Sequence, residues 1–375
     1  MKTLGILGSG QLARMTAIEA LRYGFEVIIF CNDKDKSPAE HVATETIKGE
    51  VTDLNALDTF MNKCDIVTLE NEFIDQAILE LIDEKYPEKL YPNSQTFRLI
   101  GDKLSEKIQF QKNGIPVVPY QLVSNKNDVI QFIEIHSLPI VLKSIKGGYD
   151  GYGNVTVKSL DEVEWAMSRL KGEIIAEAFI AYEKELAITV ARNKSGEIKT
   201  YPVAFTKQEN HICHFVEVPA PISIDIENKI KTMAINAMES LNAVGVFAFE
   251  FFLTDKGDIY LNESAPRPHN SAHYTIEGTL TSQFQNHVRS VFNLPIGDTQ
   301  LKAPHIVMLN LLGTQTGEAQ LQPLSEFLET KNGHLHLYGK RLSKPGRKMG
   351  HFTMLGEDLD HIHQQLTKLK SRYTL

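Results

Sequence analysis

Residues 244–263 read VGVFAFEFFLTDKGDIYLNE, and the reading of this stretch decides the fold. Two apolar runs flank the turn sequence TDKG, which predicts the two strands of a hairpin. Successive side chains of a strand point to opposite faces. A two-residue loop at Lys256-Gly257 places Glu250 directly opposite Glu263, and a four-residue loop keeps both on one face. Like charges facing each other across a sheet destabilise it. Phe247, Phe249, Phe251 and Phe252 make the surroundings of Glu250 apolar, so desolvation adds to that cost. A cation between the carboxylates offsets both. It is either a hard metal ion such as Mg2+ or Mn2+, commonly held by carboxylates and substrate phosphates, or the guanidinium of Arg267.

A second pattern lies upstream. LPIVLKSIKGGYDGYGN, residues 138–154, sets Lys143 at the end of an apolar strand and then places glycines at 147, 148, 151 and 153. The missing Cβ atoms let backbone N–H groups approach phosphate oxygens. The motif GxxxxGK[ST] is absent, so this is not a P-loop. On its own the segment reads equally as a phosphate cover or as a structural turn.

Further outward, TLGILG, FEVIIF and CDIVTLE alternate with helical stretches at 11–23 and 76–83, which predicts βαβ units on an open parallel sheet over residues 1–97. Residues 98–298 predict an α+β unit. It holds a helix through FRLIGDKLSEKIQFQKNG, several strands, an amphipathic helix over 228–241 and the hairpin. Residues 299–375 predict a small C-terminal unit with three strands and a last helix.

The chain has 375 residues, 42% hydrophobic and 23% charged, as in a soluble globular protein of two or three domains. Its net charge of −8 argues against a nonspecific nucleic-acid binder. Three scattered cysteines give neither a disulfide framework nor a CxxC metal site, and fit a reducing, cytoplasmic compartment. No secretory leader and no membrane-spanning run is expected.

A strand-end lysine, a glycine-rich loop, an E-x-x-[IV] segment and a later carboxylate pair ending in Asn-Glu together resemble the ATP-grasp ligases. LGSGQLARM, KGGYDGYGN, NESAPRPHNSAHYT and KPGRKMGH resemble the members of that family that carboxylate 5-aminoimidazole ribonucleotide in purine biosynthesis. These strings run from residue 7 to residue 351. The resemblance implies an ATP-grasp fold with an N-terminal pre-ATP-grasp domain, and a homodimer. It also implies that ATP, bicarbonate and the ribonucleotide give the N-carboxylated ribonucleotide, ADP and phosphate by way of carboxyphosphate. Metal ions and lysines suit such a reaction because they stabilise charge on the transferring phosphoryl group.

The same resemblance assigns roles. Lys103 and Lys143 contact ATP, and Gly148, Tyr149, Asp150, Gly151, Tyr152, Gly153 and Asn154 cover its phosphates. Glu177, Ala178, Phe179 and Ile180 line the adenine, and Glu185 takes the ribose hydroxyls. Glu250 and Glu263 hold the metal, with Asn262 adjacent. Arg267 stabilises carboxyphosphate, while His269, Asn270 and Ser271 hold the acceptor. Tyr149 and Asp150 reach the acceptor from the loop tip, and Asp150 meets its amine. Lys340, Arg347 and Lys348 bind the acceptor phosphate. Asp150, Arg267 and Lys340 form the implied catalytic set. Gly10, Gln11 and Leu12 face the acceptor, as does one of Glu70 and Glu72.

Two positions depart from the family pattern. Phe73 stands where a histidine is frequent, and Gln208 stands where a nucleotide-contacting histidine is expected, leaving His211 as a substitute. Other readings are a formate-dependent transformylase of the same family and a catalytically silent nucleotide-binding regulator. Gly8-Ser9-Gly10 with Asp33 and Asp35 in range also permits a nicotinamide dehydrogenase.

Overall fold

A computed structural model describes residues 1–375 except 33–35, 147–152 and 210–211. The N-terminal strand Thr3–Leu7 is buried along its whole length, as expected of a parallel strand covered on both faces. It lies between Glu26–Cys31 and Ile66–Leu69, with Glu45–Lys48 at the edge, and all three pairings are parallel. Leu4 and Ile6 pack under helix Gln11–Arg22 and against Val288 and Val291 of helix Gln283–Val291. Leu7 faces the other way, toward Leu57, Phe60 and Met61 of helix Leu54–Lys63. The alternation of one strand thus fastens the N-terminal sheet to a helix nearly 300 residues away.

The second layer is a four-stranded antiparallel sheet of Tyr120–Val123, Ile174–Ala178, Ile140–Ser144 and Asn154–Val157, backed by helices Lys126–His136 and Val163–Arg169. The single helix expected through residues 97–113 is two helices, Ser94–Ile100 and Lys103–Lys112. Asp102 causes the break. Its carboxylate accepts from Leu104 N and Ser105 N and caps a new helix at Lys103.

The third layer is a nine-stranded sheet. From one edge it runs Ile259–Ala265, Gly245–Thr254, Tyr182–Arg192, Ala204–Glu209 and Ile212–Val218, then continues through His305–Leu312, Lys348–Gly356 and Gly333–Leu337, and the ninth strand, Ile198–Thr200, pairs with Tyr182–Arg192 off this path. Strand Ile212–Val218 pairs directly with His305–Leu312, so no sheet boundary falls at residue 299. Helix Ile224–Ser240 and the wholly buried Phe247, Phe249 and Phe251 fill one side of this sheet.

The hairpin differs from its sequence reading in three ways. Its loop has three residues, Asp255-Lys256-Gly257: Thr254 N donates to Asp258 O, and Gly257 has φ +82°. Such a loop ends on a left-handed residue, which glycine adopts without strain. Leaving the turn, Phe251 pairs with Leu261, and unbroken pairing would set Glu250 against Asn262. Instead the register shifts between Glu250 and Phe251, and Glu250 pairs with Glu263. Asn262 is the extra residue, a β-bulge that turns Glu263 onto the face of Glu250. Finally, Phe247, Phe249 and Phe251 point into the core on the opposite face, so the neighbours of Glu250 on its own face are Ala248 and Phe252.

Candidate active site

The face of the hairpin that carries Glu250 looks into one cleft of about 1670 Å³, walled by all three layers. Single-ligand pockets span roughly 300–1,000 Å³, so this cleft has room for two ligands and a reaction between them.

The carboxylates dominate its electrostatics. Burial pushes the Glu250 carboxyl well above its ordinary range, with Glu263 and Glu185 adding repulsion. Burial likewise raises Glu185, although Gln208 Nε2 donates to it at 2.9 Å and opposes the shift. Gln208, which stands where a nucleotide-contacting histidine is expected, is thus a partner of Glu185. Behind the hairpin, burial pushes Glu106 up to about 7, although Ser264 N and Oγ both donate to its Oε1. Arg267 is not the counter-ion of the pair. Its Nε and Nη2 donate to the two oxygens of Glu72 at 2.6 and 2.8 Å, a bidentate clamp.

On the facing wall, Glu177 sits between two lysines, Lys143 Nζ at 2.7 Å and Lys107 Nζ at 3.1 Å. Burial disfavours its charge, but the two ammonium groups outweigh burial and hold its carboxyl below the usual range. The side chain of Glu177 is thus committed to these lysines where it meets the cleft wall. Glu106 is a further carboxyl near both lysines. Lys107 is 2% exposed and was not singled out in the sequence. It follows Lys103 by one helical turn, the only local signal of a shared face, and helical lysines are usually solvated.

The opening loop is occupied from within. Glu70 accepts from Gly10 N and Leu12 N at the start of helix Gln11–Arg22. A Cβ on Gly10 would meet Glu70 Oε1 at 2.2 Å. A helix N-terminus is an anion site, and here the chain's own carboxylate fills the place a dinucleotide pyrophosphate would take. That removes the structural basis of the dehydrogenase reading. Gln11 and Leu12 reach the cleft wall, while the N–H of Gly10 is spent on Glu70.

Residues 1–101 match the ribonucleotide synthetase preATP-grasp domain, 108–284 the ATP-grasp domain, and 306–365 the phosphoribosylaminoimidazole carboxylase C-terminal domain. The N5-carboxyaminoimidazole ribonucleotide synthase of Bacillus subtilis is 38% identical over 97% of this chain and 94% of its own length. The chain belongs to the N5-carboxyaminoimidazole ribonucleotide synthase family. It is also 36% identical to the phosphoribosylaminoimidazole carboxylase of Candida glabrata, but spans only 65% of that longer relative. Among solved structures, the N5-carboxyaminoimidazole synthase of Aspergillus clavatus in complex with ADP and 5-aminoimidazole ribonucleotide has a TM-score of 0.90 at 31% identity. The match covers 99% of this chain and 98% of that one.

Against this synthase family, most residues named from the sequence converge on the cleft. Lys103, Lys143, Asn154, Ala178, Phe179, Ile180 and Glu185 line one end, and Glu250, Asn262 and Glu263 its middle. His269, Asn270, Ser271, Lys340, Arg347 and Lys348 line the other end, beside Glu70 and Glu72. The acceptor loop is held rigidly. Gln283 grips the backbone of His269 in both directions, accepting from its N at 2.9 Å and donating to its O at 2.8 Å. Asn270 and Asn310 pair through their amides at 2.8 Å. Burial pushes His269 well below its usual range, so its imidazole is neutral, and its Nδ1 is 2.9 Å from Ser271 Oγ. Lys340 Nζ donates to Lys348 O at 2.7 Å, and Arg347 Nη1 to Leu342 O at 2.6 Å. The carbonyl of Gly153 accepts from Ser144 N. Gly148, Tyr149, Asp150, Gly151, Tyr152 and His211 lie outside the described residues. Among those described, no helix is long and apolar enough to cross a membrane.

Proposed function

We propose that this chain uses ATP and bicarbonate to carboxylate the amine of 5-aminoimidazole ribonucleotide. One observation carries the reading: a single cleft has facing carboxylates in its middle, buried lysines at one end and a cationic loop at the other. ATP fits the lysine end, where Lys103 and Lys143 neutralise its phosphates, with Lys107 behind them. The ribonucleotide fits the other end, with its phosphate at Lys340, Arg347 and Lys348 and its ring against His269 and Asn270.

The carboxylate pair fits Mg2+. Glu250 and Glu263 face each other, and Asn262 Oδ1 is buried beside them without a hydrogen-bond partner among the described residues. These are hard oxygen donors of the kind Mg2+ takes. Bound there, the ion would neutralise charge on the β- and γ-phosphates.

Bicarbonate is a poor electrophile because hydroxide is a poor leaving group. Its oxygen attacks the γ-phosphorus, the bond to ADP breaks, and carboxyphosphate forms. The amine nitrogen then takes the carboxyl carbon, from carboxyphosphate or from CO2 released by it. Phosphate leaves and the nitrogen loses a proton, for which Asp150 is the assigned acceptor. Arg267, fixed by Glu72, presents its remaining N–H groups to the carboxyphosphate.

A transformylase shares the phosphate end and differs in its one-carbon substrate. ADP release therefore tests the reading. With the aminoimidazole ribonucleotide and ATP, release requires bicarbonate and formate does not replace it. Release with formate and none with bicarbonate would refute the proposal. The homodimer rests on the family resemblance, and sedimentation tests it.

A further inference from the structure

One buried carboxylate has no part in the reaction above. Glu106, on helix Lys103–Lys112, is 6% exposed. Its Oε1 accepts twice from a single residue, from Ser264 N at 2.7 Å and from Ser264 Oγ at 2.5 Å. Ser264 directly follows Glu263 on strand Ile259–Ala265.

That strand is an edge of the nine-stranded sheet. An edge strand presents backbone N–H and C=O groups that no neighbouring strand takes. Two contacts cover this edge beside the carboxylate pair. Leu261 N donates to Pro116 O at 2.8 Å, and Leu261 forms an isolated bridge with Val117. Three residues on, the Glu106 carboxylate stands in for the carbonyl of a missing strand and takes Ser264 N–H. Between these two anchors lies the bulge at Asn262. A bulge interrupts the ladder and re-aims the side chains around it. A slip of one residue would turn the strand's side chains to the opposite face. The anchors on either side hold the bulge at Asn262, and with it Glu263 opposite Glu250.

The helix is held from its other side as well. Lys107, the next residue, pairs with Glu177 at 3.1 Å. Lys103 N donates to Ile145 O at 3.2 Å, just beyond the strand Ile140–Ser144 that carries Lys143. Residues 103–107 of one helix thus bond to both the lysine wall and the hairpin.

We propose that Glu106 is a positioning residue: by gripping Ser264 it pins the bulge and keeps Glu263 aimed at the cation shared with Glu250. The proposal rests on the metal assignment above. Glu106 acts through Ser264, and its acceptor oxygen, rather than its charge, is what the strand needs. Partners that orient a metal ligand from behind typically contribute about 10–100-fold in metal affinity.

The test titrates Mn2+ into the full-length chain with a nonhydrolysable ATP analogue and reads free Mn2+ by its EPR signal, so no turnover is involved. Glu106→Leu keeps the buried volume and removes the acceptor, whereas Glu106→Gln keeps an acceptor oxygen and removes the charge. The Leu variant is expected to bind Mn2+ about tenfold more weakly or worse. Its Ser264 amide should exchange with solvent faster, and its affinity for 5-aminoimidazole ribonucleotide should match the parent's. The Gln variant should bind Mn2+ as the parent does. Parent-like Mn2+ affinity in Glu106→Leu overturns the proposal. So does a Gln variant as weak as the Leu variant, since charge would then be the cause, and so does an equal loss of ribonucleotide affinity, which marks general damage. Should Glu106→Leu not fold, Ser264→Ala removes one of the two bonds and carries the test, and unchanged Mn2+ affinity there overturns the proposal. Glu263→Ala must lose the Mn2+ site in the same assay. Parent-like binding in that variant removes the metal assignment itself, and this proposal with it.

Discussion

At the scale of single residues, Asn262 has the largest consequence. It adds one residue to its strand, and that addition sets Glu263 against Glu250. Without a cation the pair is a defect, because burial and like charge both disfavour Glu250 in its ionised form. Glu263→Ala relieves that repulsion while removing a ligand of the proposed metal ion. The metal-free variant is expected to melt at or above the temperature of the parent, and its ADP release in saturating Mg2+ to fall by roughly a hundredfold or more. A lower melting temperature with near-normal turnover would contradict this. The facing of the two glutamates was legible in the sequence, from alternation on either side of a turn. Its cause was not, since a bulge leaves no local mark. Glu72 and Arg267 were each named, but their clamp joins residues 195 apart, and no local spacing signals it. Lys107 was missed because a lysine within a helix reads as solvated until the strand carrying Glu177 is laid over it.

Between elements, His287 is the joint. It lies on helix Gln283–Val291, its Nδ1 accepts from Val246 N at 3.1 Å, and its Nε2 then donates to Thr68 Oγ1 at 2.8 Å. One neutral imidazole thus links that helix to the large sheet and to the N-terminal sheet. Burial pushes His287 down to about 4 from an ordinary 6.5. Between these values the unfolded chain binds the proton that the folded chain refuses. Stability present above pH 6.5 is therefore lost as the pH falls, and the loss from this group levels off below about pH 4. At about 1.4 kcal/mol per pH unit it totals about 3 kcal/mol. Urea denaturation of His287→Gln and the parent from pH 7 to 4 should show a flatter profile in the variant. Parallel profiles would remove His287 as the cause. Local signals gave the elements themselves well, and the helix expected at 11–23 is observed at Gln11–Arg22. Gly101-Asp102 divides the helix expected over 97–113, and an Asp before a helical run is a start signal.

For the whole molecule, the arrangement of layers explains how one cleft could take the two proposed ligands. The lysine wall, the carboxylate hairpin and the cationic loop come from different parts of the chain, and the hairpin and the C-terminal strands belong to one sheet. That sheet closes through the pairing of Ile212–Val218 with His305–Leu312, a contact between distant segments that no periodicity announces. The parallel N-terminal sheet was legible because its strands and helices alternate at short range. The central claim is that this cleft joins bicarbonate to the γ-phosphate before the amine receives the carboxyl group. The direct test supplies 18O-labelled bicarbonate with ATP and 5-aminoimidazole ribonucleotide and analyses the phosphate by mass. Attack by a bicarbonate oxygen predicts one labelled oxygen in each phosphate released. ADP formation with unlabelled phosphate would contradict the account.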